Sequence, residues 1–140
     1  MRGPGKSFVE GYIWGRDPTT LLSKLEDDQG KPGKFDLILL SDLVFNHQAH
    51  PALLETCEAC IADATTEEME GQMTTPCVLV FFTHHRPHLA YKDMQFFDMA
   101  EVKGWKFEKL GEWFREPMFP EDPGDEVVRS TIHGFRLWRA

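Results

Sequence analysis

Two runs of apolar residues stand out along the chain: FDLILLS, Phe35 to Ser41, and CVLVFFT, Cys77 to Thr83. Neither alternates with polar residues. A near-continuous apolar run of this length suits a strand buried on both faces, as in a parallel sheet. Each run is followed by a helical pattern. His50-Pro51 opens the first helix, whose apolar positions are Leu53, Leu54, Cys57, Cys60, Ile61 and Ala64. These fall on one stripe of an amphipathic helix, with Glu55, Glu58 and Asp63 off it. Pro87 opens the second, with Leu89, Ala90, Met94, Phe96, Phe97 and Ala100 apolar and Gly104 where a helix-terminating glycine belongs.

The remaining elements are weaker. Met1 to Lys6 are rich in Gly and Pro, so residues 1–7 read as loose, and Ser7 to Trp14 as a short strand or an extended loop. Asp17-Pro18 reads as a helix entry, with Asp at the N-cap and Pro at the first helical position, leading into a short helix over Thr19 to Leu25. Glu26 to Lys34 reads as a loop and Thr65 to Pro76 as a polar, acidic connection. Trp105 to Leu110 predicts a third strand, Trp113 to Asp125 a Pro-rich acidic loop, and Val127 to Trp138 a fourth strand. The order β-α-β-α-β-β implies an α/β sheet with right-handed crossovers and an antiparallel, hairpin-like ending.

Composition narrows the function classes. The chain has 140 residues, 41% hydrophobic, and a net charge of −8 from 15 Lys and Arg against 23 Asp and Glu. That apolar content supports a packed core and excludes global disorder. The acidic balance argues against nucleic-acid binding, which calls for a basic face, and is compatible with a basic partner. The longest apolar run, Cys77 to Phe82, is too short to cross a bilayer. Met1 to Tyr12 contains no apolar signal-peptide core, and the three cysteines are an odd number. Together these predict a cytoplasmic, reducing environment.

In an open α/β sheet, ligands bind beyond the carboxyl ends of the strands. That rule selects Ser41 to His47 and Thr83 to Pro87. Asp42 either caps the turn leaving the first strand or takes part in chemistry, and the residues alone weigh these equally. His84, His85 and His88 have His-x-x-His spacing, but no carboxylate or Cys accompanies them, so a strand-end role is favoured over a metal site. Cys57 and Cys60 match C-x-x-C. Both lie in the apolar stripe, away from a helix start, so they read as core rather than as a redox or zinc pair. Trp14, beside Gly15, is either a hydrophobic plug or a stacking platform for a ligand ring. The chain holds no G-x-G-x-x-G, P-loop or G-x-S-x-G motif.

FVEGYIWGRD (Phe8 to Asp17), FDLILLSDLVFNH (Phe35 to His47) and CVLVFFTHHRP (Cys77 to Pro87) resemble the seven-strand S-adenosylmethionine-dependent methyltransferases. The similarity is to lysine methyltransferase family 16, and within it to the fungal nicotinamide N-methyltransferase-like group, which methylates the N-terminus and adjacent lysine of translation elongation factor 1-alpha. The resemblance covers nearly the whole chain from Phe8 onward. It implies a Rossmann-like, three-layer α/β/α fold with an antiparallel last strand, truncated here to strands 4 to 7. Residues 1–140 are then a single partial domain, the C-terminal half of a methyltransferase domain. In that family the strand order is 3-2-1-4-5-7-6. The glycine-rich turn after strand 1, the main S-adenosylmethionine site, lies upstream of these residues.

The resemblance also implies roles. Trp14 and Ser41 match positions that contact the cofactor. Asp42 and Phe45 match the D-x-x-[FY] motif beside the methyl-transfer site, with Phe in place of a tyrosine. Asn46, His47 and His84 are substrate-proximal by position, and no metal is implied. These roles agree with the chemistry of methyl transfer, which depends chiefly on aiming a neutral amine at the methyl carbon. A carboxylate such as Asp42 orients the amine. An aromatic wall such as Phe45 attracts an ammonium group by roughly 0.5–2 kcal/mol. His47 or His84 would take up a proton.

Three functions compete on this reading. One is a protein N-methyltransferase acting on a lysine or N-terminal amine, the second a truncated non-catalytic fragment or pseudoenzyme, the third a nicotinamide or other small-molecule N-methyltransferase. The acidic balance favours a basic protein substrate. With its neighbouring strand upstream, Phe35 to Ser41 would present a bare apolar edge, and self-association through that edge is expected.

Overall fold

The computed structural model describes residues 5–31, 33–64 and 75–139. Its elements are α1 (Thr19–Leu22), β1 (Leu37–Ser41), α2 (His50–Cys60), β2 (Cys77–Thr83), α3 (Ala90–Val102), β3 (Trp105–Phe114), α4 (Glu126–Ser130) and β4 (Thr131–Arg139). Single 3-10 turns over Ser23–Leu25, His47–Ala49 and Pro87–Leu89 follow α1 and lead into α2 and α3. The segment Thr65 to Pro76 lies largely outside the described residues, as do residues 1–4 of the stretch read as loose.

The four strands form one sheet in the order β1-β2-β4-β3. β1 and β2 are parallel, with Leu37 opposite Cys77 and Ser41 opposite Phe81. β4 runs antiparallel to both β2 and β3. α2 and α3 cover one face. Leu53, Leu54 and Cys57 of α2 and Phe96, Phe97 and Ala100 of α3 share a core with Leu40, Val78, Val80, Phe82, Phe135 and Leu137 of the sheet. The register explains the grouping, since Val78 pairs with Leu137 and Val80 with Phe135, placing these side chains on one face. Cys57 and Cys60 are buried free thiols within or beside this core, as their place in the stripe predicts.

Several expectations are corrected. β1 is not buried on both faces: Leu40 is fully buried, but Leu37 and Leu39 are 50% and 60% exposed. Both long helices pack on the same face, so the described residues form two layers where three were expected. Trp113 roofs part of the other face, its ring close over Gly134 beside Phe81. β3 extends to Phe114, four residues past the predicted end, because its pairing with β4 resumes at Gly111 after an irregularity at Leu110. The predicted fourth strand begins as α4. There Asp125 caps the helix, accepting the Val128 N–H at 3.0 Å, and Glu126 suits the positive end of the helix dipole. A short helix therefore separates the last two strands.

The amino-terminal stretch from residue 5 to 13 forms no strand, so of the two forms its sequence allows it takes the loop. It is tied to α2. The Gly15 N–H donates to Thr56 Oγ1 at 2.8 Å, and the Tyr12 and Thr56 hydroxyls lie 3.1 Å apart. Gly15 has φ +87° and a Cβ there would sit 2.9 Å from the Ala52 Cβ, so glycine is required on both counts. The entry to α1 is shifted by one residue from the expected one: Pro18, not Asp17, is the N-cap, and Asp17 stands just before it, where its Oδ1 accepts the Thr19 N–H at 3.0 Å.

Candidate functional site

Because β1 and β2 are adjacent and parallel, their carboxyl ends deliver two loops to the same place. Residues 42–46 leave β1 and residues 84–86 leave β2. Asp42 turns the chain out of β1 with φ +54°, a left-handed conformation that Asp adopts more readily than most residues. Its N–H donates to the Phe81 carbonyl at 2.7 Å, which fixes the turn against β2.

Three consecutive residues of the second loop hold the first. The His84 ring reaches Asp93 Oδ2 through Nδ1 at 2.7 Å, and His47 reaches Asp93 Oδ1 through Nε2 at 2.6 Å. Since a carboxylate only accepts, each imidazole presents its N–H to Asp93. His85 Nε2 lies 2.9 Å and 3.1 Å from the two oxygens of Asp42. Arg86 donates to the Phe45 carbonyl at 3.1 Å. Behind this layer, the His50 ring bonds the Val44 carbonyl at 2.7 Å and packs edge-on against His47 and Phe96. His133 of β4 lies 4.9 Å from the His84 ring centre.

Burial pushes the His50 imidazole below the ordinary histidine value, partly opposed by its bond to Val44. Burial does the same to His133, reinforced by His84. The sign for stability follows. Below the ordinary value, about 6.5, the unfolded chain takes up protons that the folded chain resists until its lower values are reached, so stability falls as pH drops through that window. Urea unfolding at pH 7.5 and 5.5 measures this. The midpoint is expected to be lower at pH 5.5, and the drop smaller in a His50→Gln variant. A drop of the same size in that variant contradicts the role of His50.

The residues singled out by the sequence are placed as follows. Ser41 and Asp42 sit together at the end of β1, and Phe45 is 43% exposed beside them. Asn46 is exposed and its carbonyl accepts the Ala49 N–H at 3.0 Å, opening the turn before α2. His47 and His84 are brought together, but through Asp93. Trp14 lies against the hydrophobic core with its ring edge-on to Tyr12, in the loop pinned to α2. Sequence reasoning missed Asp93 altogether and placed His85 at a strand end without pairing it with Asp42. The signal for Asp93 was available: it stands on the apolar stripe of α3, four residues after Leu89 and three before Phe96, where a lone buried acid demands partners. Among the described residues, no group of three or more His, Cys, Asp or Glu side chains is arranged to hold a metal ion. No described helix is long and apolar enough to cross a membrane.

The fold and site define a mixed α/β chain with a carboxylate-centred polar cluster beyond two parallel strands, and nearly the whole chain is homologous to protein N-methyltransferases. It is 47% identical over 138 residues to the protein N-terminal and lysine N-methyltransferase EFM7 of Cryptococcus neoformans, covering 94% of this chain and 45% of that protein. The Schizosaccharomyces pombe protein of the same name is 45% identical over 134 residues, covering 94% and 48%. That of Candida glabrata is 40% identical over 132 residues, covering 94% and 46%. The chain thus spans about half the length of the curated relatives it matches. No model of a known protein family matches it.

Proposed function

We propose that this chain is the C-terminal part, strands 4 to 7, of a seven-strand S-adenosylmethionine-dependent protein N-methyltransferase. Its acceptor is a lysine or N-terminal amine of a basic cytoplasmic protein, elongation factor 1-alpha. The observation that carries the proposal is the 47% identity, over 94% of the chain, to a protein named for that activity. The sheet order supports it, because β1-β2-β4-β3 is the order expected of strands 4-5-7-6.

The residues present fit one side of a cofactor site. Ser41 is exposed at the end of β1, and the chain turns directly after it at the left-handed Asp42. Ser41 and Trp14 are the residues of this chain that would hold the cofactor. When bound, S-adenosylmethionine supplies an electrophilic methyl group on a sulfonium. Asp42 accepts an N–H of the incoming amine and fixes the direction of its lone pair. Phe45 walls the approach with an aromatic face suited to a methylammonium group. His47 and His84 spend one nitrogen each on Asp93, so their first task is to hold the loop that carries Asp42 and Phe45.

The test uses the full-length protein with tritiated S-adenosylmethionine, offered elongation factor 1-alpha and nicotinamide in separate reactions. Label is expected on the protein acceptor, at its N-terminal amine or a lysine. Label on nicotinamide alone would reassign the enzyme to small molecules. No label on either acceptor would favour a non-catalytic role.

A further inference from the structure

We infer that His85 is the positioning residue of Asp42: its imidazole sets the direction in which the Asp42 carboxylate faces the acceptor amine. This inference rests on the proposed function for its catalytic consequence, and on geometry alone for the contact itself. The sequence places His85 at a strand end, and the family resemblance gives it no role toward Asp42.

Two features of Asp42 make a second residue necessary. Its backbone is left-handed, so its side chain leaves the strand at an angle that neighbouring side chains of β1 do not share. The carboxylate is also 35% exposed, and a carboxylate at such a surface ordinarily samples several rotamers. His85 removes that freedom. Its Nε2 approaches both oxygens, at 2.9 Å and 3.1 Å, so rotation of the carboxyl group about its own axis and swing about the Cα–Cβ bond are both restrained. The His85 side chain is itself only 16% exposed. The Asp42 carboxylate is the more exposed of the two, and a carboxylate has more acceptor sites than one histidine N–H fills, so it can still accept from a donor arriving from solvent.

His85 is in turn held from two sides. Its N–H donates to the Thr83 carbonyl at 3.0 Å, a tight turn at the end of β2. The Phe119 ring packs edge-on against the imidazole with centroids 5.8 Å apart, and Phe119 is anchored where Arg129 donates to its carbonyl at 3.0 Å. A mobile histidine could not orient a partner, whereas one seated between a strand end and an aromatic ring can. Methyl transfer between bound groups depends on alignment more than on acid or base strength, so a residue acting only through direction has a measurable kinetic effect.

The test compares His85→Leu and His85→Gln in the full-length protein. Glutamine keeps an N–H donor at nearly the reach of Nε2, while leucine keeps the bulk and removes the donor. His85→Leu is expected to lower kcat by about tenfold or more with KM changed less than about threefold, and His85→Gln to recover to within about threefold of the parent. Equal loss in both variants, or a kcat unchanged in His85→Leu, would overturn the inference. A second readout needs no turnover: the carbon-13 resonance of the Asp42 carboxyl group in selectively labelled protein. It is expected to move in His85→Leu and to return in His85→Gln. A resonance unmoved in His85→Leu refutes the contact. If the parent protein transfers no methyl group, the proposed function falls, and the resonance still decides whether His85 holds Asp42.

Discussion

Asp42→Ala in the full-length protein is expected to lower methyl transfer by about a hundredfold or more while leaving the fold intact. The side chain is over a third exposed and is not part of the core, so little packing is lost on truncation. Relief of the left-handed backbone strain is not gained with alanine, but it is with glycine. Asp42→Gly is therefore expected to be at least as stable as Asp42→Ala, by about 1 kcal/mol, and equally inactive. Initial rates with tritiated cofactor and urea unfolding of the same preparations separate the two effects. A variant that is folded and retains parental kcat would remove Asp42 from the reaction.

Asp93→Ala carries the largest expected cost in stability, roughly 2–5 kcal/mol, out of a total of about 5–15 kcal/mol for an ordinary domain. The Asp93 carboxylate is buried and accepts from His47 and His84 at once, so its removal leaves two imidazole donors facing an apolar gap. Asp93→Asn distinguishes hydrogen bonding from volume. Its carbonyl can accept from one ring, but its NH2 confronts the N–H of the other, so an intermediate loss is expected. Urea midpoints for parent, Asn and Ala variants give the order. Both variants lying within about 1 kcal/mol of the parent would show that the bridge contributes nothing net.

The parts of this fold that could be read from residues are those where periodicity and burial coincide. Val78, Val80 and Phe82 lie in an apolar run and are buried together, and Leu53, Leu54 and Cys57 follow a stripe that packs on them. The same runs misled on the second face. Leu37 and Leu39 are as apolar as Ile38 and Leu40, and no local pattern tells which of them will find a covering layer. The start of β4 was obscured for a different reason. Val127 and Val128 have strand propensity, but Asp125 supplies a cap bond that selects a helical turn. At the site, Asp42 stood out because it follows an apolar run directly. Its partner did not, because Asp42 and His85 are 43 positions apart and meet only through the parallel pairing of β1 and β2.

The buried pair Cys57 and Cys60 also has a use beyond packing. Burial holds the Cys57 thiol at about 12, so in the folded chain almost none of it is the reactive thiolate, and its sulfur is shielded from solvent. Alkylation at Cys57 must wait for α2 to lift from the sheet. Its rate under mild conditions therefore counts how often that helix opens, a clock for sub-global motion written into the side of the domain that carries the Asp42 loop.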